Sequence, residues 1–191
     1  MHTGRLFYLI GASGTGKDSL LRYLQTHLSP ENRVMLPRRY ITRPADAGGE
    51  EHIEITAEAF KQRVQQNGFA MHWQSHGYRY GIGREIDAWL GVGFAVVLNG
   101  SRHYLETALA RYPNLQPVLI KVSHDALFER LTLRGRENAQ EIEQRLQRAE
   151  ALDGQLTHSG LCVLHNDGPL HEAGEALRNL ILSPQIQEAV I

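Results

Sequence analysis

The residues Gly11, Ala12, Ser13, Gly14, Thr15, Gly16 and Lys17 stand between an apolar run, Leu6–Ile10, and a segment with leucines at positions 20, 24 and 28. A glycine-rich turn in that setting joins a buried strand to an amphipathic helix, and it restricts the fold more than any other feature of the chain. The glycines let successive backbone N–H groups point into one concavity, and the N-terminus of the following helix adds partial positive charge. Main-chain donors so arranged bind phosphate oxygens, with Lys17 neutralising the β and γ phosphates. Residues 11–19 therefore read as a phosphate-binding loop, with Gly11, Ala12, Ser13, Gly14, Thr15, Gly16, Lys17, Asp18 and Ser19 as nucleotide-binding candidates. A glycine-rich turn without a ligand would have no structural need of so many permissive residues before a lysine.

The residue after such a lysine is commonly a hydroxyl that ligates Mg²⁺. Here it is Asp18, and Ser19 is displaced by one. A carboxylate is a good hard ligand for Mg²⁺, which makes Asp18 the candidate metal ligand. As an acid at a helix start it also complements the dipole, and the two roles are compatible. ATP and Mg²⁺ are the expected cofactors.

Further apolar runs at 94–98, 118–122 and 161–164 lack polar alternation and read as strands covered on both faces. Between them lie helical stripes: Leu105 and Leu109, Leu127 and Leu131, Ile142 with Leu146 and Ala149, and a terminal stripe of Leu170, Ala173, Leu177 and Leu180. Strands alternating with helices call for a parallel sheet with helices on both faces, an α/β fold of the P-loop NTPase type. At 191 residues a single domain is expected. Its core spans 1–32 and 84–191, with a small acceptor-binding lobe inserted at about 33–83. In that lobe Thr56 caps a helix and residues 69–83 form a hairpin. Residues 134–141 carry arginines around Gly135 between two helical patterns, which suits a mobile lid.

Lys+Arg and Asp+Glu nearly balance at 20 and 21, so no global field favours nucleic acid or an anionic membrane. No run approaches the length needed to span a bilayer, and no secretory signal is visible, so a cytoplasmic location is expected. The single cysteine, Cys162, excludes an internal disulfide. Of the 10 histidines, His72 and His76 lie four apart without an evident third ligand, so a zinc site is not expected.

Over nearly its whole length the chain resembles the guanylate kinase family. The matching residues are the 11–17 loop, then Thr42, Arg43 and Pro44 with Gly49 and Glu50, Tyr80 with Gly81, Arg130 and Leu131 with Arg134 and Gly135, Arg145, and Asn166 with Asp167. The resemblance implies, in that order, the ATP phosphate loop, an acceptor-phosphate site, a further acceptor contact in Tyr80, an arginine lid and a loop near adenine. It assigns Arg130 and Asn166 to the nucleotide, and Lys17, Arg134 and Arg145 to catalysis.

The acceptor site departs from that family. Its base-reading serine falls on Arg39, its second phosphate-binding arginine falls on Asp46, and its phosphate-binding tyrosine falls near His52. Residues 69–73 contain no acid to accept hydrogen bonds from guanine, and a buried polar group left unpaired costs about 1–3 kcal/mol. These departures resemble the branch of the family that phosphorylates ribose 1,5-bisphosphate, as do Asp18 and Ser19 after the lysine, Glu85 to Asp87, Asn99, Gly100, Ser101 and Arg102, and the string 134–138. That resemblance implies an acceptor site drawn from Arg39, Arg43, Glu50, Tyr80, Asn99 and Arg102, and a small phosphorylated metabolite as partner. A nucleoside monophosphate kinase and a non-catalytic guanylate kinase-like binding module are the alternatives. The sequence leaves open whether the chain forms a homodimer.

Overall fold

The computed structural model describes residues 4–45, 50–135 and 137–183. Asp46, Gly49 and Arg136, which the sequence reading draws on, lie outside the described residues. Five parallel strands form the central sheet in the order β2-β7-β1-β8-β9, where β1 is Leu6–Ile10, β2 Val34–Met35, β7 Ala95–Asn99, β8 Gln116–Lys121 and β9 Cys162–His165. Val34 and Met35 pair with Ala95 and Val96 and so belong to this sheet, although the sequence reading places them in the inserted lobe. Two residues are too few to reveal a period.

The strands divide their side chains by alternation between two cores. Leu6, Tyr8, Ile10, Val96, Leu98 and Leu119 face one way, where they meet Ile86 of helix α3 (Glu85–Gly91) and Leu105 and Ala108 of α4 (Leu105–Arg111). Phe7, Leu9, Val97, Val118 and Ile120 face the other way, against Leu20 and Leu24 of α1 (Lys17–His27) and Ala173, Leu177 and Ile181 of α7 (Leu170–Leu182). The buried face of α7 is rotated from the expected stripe: Leu170 is exposed, and Gly174 is buried. A Cβ on Gly174 would lie 2.4 Å from the Tyr23 ring, so the missing side chain is what lets α7 close on α1.

A second sheet, in the order β4-β3-β6-β5, is built from β3 Tyr40–Ile41, β4 Ile53–Glu54, β5 Phe69–Ser75 and β6 Tyr78–Gly83. The hairpin β5–β6 and helix α2 (Ala57–Gln65) occur where the sequence pattern puts them, and Thr56 Oγ1 accepts from the Ala59 N–H. Ala70, Met71 and Ile82 join the core facing α3 and α4, which fixes the lobe to the central sheet. Helices α5 (His124–Arg134) and α6 (Ala139–Gly154) pack on each other through Leu127, Leu131, Ile142, Leu146 and Ala149. Among the described residues no helix is long and apolar enough to cross a membrane.

Because the five strands are parallel, the residues that follow β1, β7, β8 and β9 emerge at one edge of the sheet. In open α/β sheets that edge is where ligands bind.

Candidate active site

Between β1 and α1 the chain turns with positive φ at Gly11, Gly14 and Gly16. A Cβ at Gly11 would lie 2.5 Å from the Ile120 carbonyl, and one at Gly16 would lie 2.4 Å from Asn166 Nδ2, so neither position admits a side chain. Thr15 is buried and donates to the Ala12 carbonyl at 2.9 Å, closing the loop on itself. No side chain caps α1, which leaves the first-turn N–H groups open to an anion. Lys17 Nζ donates to the Gly11 and Ala12 carbonyls at 2.7 and 2.9 Å, holding the ammonium across the mouth of the loop. Burial pushes the Lys17 pKa down to about 8, with Asp18 opposing and with Arg39 and Arg102 adding to the fall. Those arginines are therefore near enough for the phosphate lysine to feel their charge.

Beside the loop lies a cleft lined by Asp18, Asn99, Arg39 and Glu50, with Leu36 and Arg38 among its other walls. It brings the first turn of α1, the end of β7 and the inserted lobe together. Asn99 is 4 % exposed, and its Nδ2 donates to Asp18 Oδ1 at 2.7 Å. Since a carboxylate only accepts, this contact fixes which end of the amide faces Asp18. Asn99 Oδ1 is buried and has no partner among the described residues.

On the opposite wall Arg39 meets Glu50 through both Nε, at 2.8 Å, and Nη2, and each side chain is 12 % exposed. The guanidinium lies 5.0 Å above the Tyr80 ring, which is itself stacked on Trp73 with centroids 5.6 Å apart. Burial raises the Tyr80 pKa, so its phenol stays neutral. Arg43 Nε is buried without a partner among the described residues.

A second depression, lined by Ser13, Leu131, Arg134, Glu137 and Arg145, joins the phosphate loop to the α5–α6 junction. Gly135 ends α5 in the left-handed conformation, and Asn138 with Glu141 forms a capping box that starts α6. Arg134, at the end of α5, and Arg145, on α6, thus line the same depression as Ser13. Arg145 Nη1 donates to Glu137 Oε2 at 2.5 Å, a partner the sequence reading did not single out. Arg130 reaches the Asp167 carbonyl at 3.5 Å, and Asp167 in turn accepts from the Ser123 N–H at 2.6 Å. That backbone hydrogen bond lowers the Asp167 pKa.

Arg102, Asn166 and His52 are likewise engaged with the protein itself. Arg102 is tied to the end of α6, donating to the Ala149 carbonyl at 3.0 Å and to Asp153 Oδ1 at 2.5 Å. Asn166 is buried behind the phosphate loop, and its Nδ2 donates to the Thr15 carbonyl at 2.8 Å. His52 is buried between the Glu50 and Arg43 carbonyls, at 3.0 and 2.9 Å from its ring nitrogens. A residue the sequence reading missed is Tyr8, whose hydroxyl accepts from the Ser101 N–H at 2.9 Å and so shapes the turn after β7.

A parallel sheet with a glycine cradle and lysine at its carboxyl edge, an arginine-bearing helix junction above it and an inserted lobe beside it define a P-loop phosphotransferase fold. The guanylate kinase family model matches residues 3–183, and the chain belongs to that family. Among curated relatives it is similar to ribose 1,5-bisphosphate phosphokinase PhnN of Psychromonas ingrahamii, 49 % identical over 96 % of this chain and 93 % of that one. It is also similar to the proteins of that name from Thiobacillus denitrificans, 49 % identical over 95 % and 94 % of the two chains, and Desulfomicrobium baculatum, 50 % identical over 95 % and 96 %. Among solved structures, guanylate kinase from Anaplasma phagocytophilum shares the fold with a TM-score of 0.69 at 16 % identity, covering 98 % of this chain and 89 % of that one.

Proposed function

We propose that this chain transfers the γ-phosphoryl group of ATP to ribose 1,5-bisphosphate, giving ADP and 5-phosphoribosyl 1-pyrophosphate. An oxygen of the acceptor's 1-phosphate forms the new bond to the γ-phosphorus as the bond to the β-bridging oxygen breaks, and ADP leaves. An acceptor phosphate is already an anion at neutral pH, so no general base is needed, and catalysis reduces to positioning and charge neutralisation. The relatives' name supports the acceptor. The observation that carries the reading is Arg39, a partly buried arginine held on an aromatic plate in the cleft that Asp18 also lines, where a base-reading site would need uncharged or acidic partners. The nucleoside monophosphate alternative lacks such partners in residues 69–73.

In this reading the loop amides and Lys17 hold the donor's phosphates. Arg134 and Arg145 close over the transferring group, with their planar forks matched to pairs of phosphate oxygens. Arg43 and Arg39 receive the acceptor, with Tyr80 beneath. The residues also fit Mg²⁺: Asp18 is a hard oxygen donor in the first turn of α1, beside the loop, and Asn99 Nδ2 holds its carboxylate in place. Bound there, the ion would offset charge on the donor's β and γ phosphates. ATP as donor implies a cytoplasmic site of action.

The test is purified protein with ATP·Mg²⁺ and, in separate reactions, ribose 1,5-bisphosphate, GMP and ribose 5-phosphate, following ADP. Turnover is expected with the bisphosphate, and rapid ADP formation with GMP alone would reverse the acceptor. Lys17 provides a second check. Its pKa of about 8 in the free protein means that triphosphate, which favours the ammonium, binds with proton uptake at higher pH. ATP affinity measured in EDTA should therefore be flat from pH 6.8 to about 7.5 and weaken above about 8, approaching tenfold per pH unit. A flat profile to pH 9.5 would mean that triphosphate binding draws no proton onto Lys17.

A further inference from the structure

Arg39 is held from two directions. Glu50 takes its Nε and Nη2 hydrogens in a fork, while the face of the guanidinium lies over Tyr80 and, at 6.0 Å, over Trp73. Trp73 is in turn stacked on Tyr80 within 5° of parallel and packs against Tyr104 with centroids 5.4 Å apart, joining the lobe to the core. The fork occupies one edge of a planar group, so the opposite edge, bearing Nη1, is turned away from Glu50. The cleft that Arg39 lines has Asp18 and Asn99 on its other wall.

We propose that Glu50 is a positioning residue for acceptor selection: it fixes the orientation of Arg39 on the Tyr80–Trp73 plate and leaves the Nη1 edge to read an acceptor phosphate, without touching the acceptor itself. This rests on the phosphokinase reading above. An anionic acceptor would be repelled by Glu50 at contact distance, whereas a carboxylate already saturated by Arg39 presents little free charge. A fixed guanidinium loses less conformational freedom on meeting a phosphate than a free one, so the pairing strengthens acceptor binding without adding a contact.

A double-mutant cycle distinguishes positioning from contact. Glu50→Gln, which cannot accept both hydrogens, should raise the acceptor KM by about tenfold with little change in the KM for ATP, on the scale of one charge-assisted hydrogen bond. In an Arg39→Ala background the same substitution should change the acceptor KM less than twofold. An equal rise in both backgrounds would mean that Glu50 contacts the acceptor, and an equal rise in both KM values would mean a general structural role; either overturns the proposal. The cycle is run with whichever acceptor the wild type turns over, so a failure with ribose 1,5-bisphosphate would count against the functional reading and not against this one. Independently of any acceptor, the Arg39 Nε–H should give a slowly exchanging ¹⁵N–¹H signal in the free protein that Glu50→Gln removes. Its absence from the wild type would show that the fork does not form in solution.

Discussion

Lys17→Ala should lower turnover by about 10²- to 10³-fold or more, the usual consequence of deleting a donor aimed at developing phosphate charge in a shielded site. The fold should survive, because the Lys17 ammonium donates only to the Gly11 and Ala12 carbonyls of its own loop and supports no other element. Steady-state kinetics beside a thermal melt separate the two effects. A variant that retains a tenth of the activity, or one that fails to fold, would contradict the role given to this residue.

Gly100→Ala should cost about 3 kcal/mol, at the upper end of what overpacking a filled core does. A Cβ there would lie 2.1 Å from the ring of Tyr8, which has no solvent exposure and no room to withdraw. The backbone would have to shift instead, breaking the Ser101 N–H bond to the Tyr8 hydroxyl and moving Asn99 away from Asp18. For a domain of this size the melting temperature should fall by about 6–12 °C, measurable by calorimetry. An unchanged melt would mean that the turn after β7 is looser than its contacts require.

The parts of this molecule that were legible in the sequence are those whose cause is local. Strands β1, β7, β8 and β9 announce themselves because both faces are covered and their residues are almost continuously apolar. The phosphate loop does so because its glycines, lysine and helix start are contiguous. Thr56, which caps α2, is likewise a short-range device. What was not legible depends on pairings across long separations. Nothing in the pattern links Arg39 to Glu50, 11 residues apart, or Arg102 to Asp153, 51 apart, or Asn166 to Thr15, 151 apart. Arg102 shows the consequence: its carboxylate partner on α6 cannot be seen from the residues around it. The face of α7 was misjudged by one position for a related reason, since a glycine that admits Tyr23 carries no apolar signal of its own.

The proposed reaction needs two anion sites, one of loop amides with Lys17 and the other drawn from Arg43 and Arg39. A crystal structure with a non-hydrolysable ATP analogue, Mg²⁺ and ribose 1,5-bisphosphate tests that arrangement most directly. The account predicts the triphosphate along residues 11–19 and an acceptor phosphate within hydrogen-bond distance of Arg43 and of the Nη1 edge of Arg39. A second pocket left empty while the first is filled, or one that binds the guanine ring of GMP in preference, would contradict it.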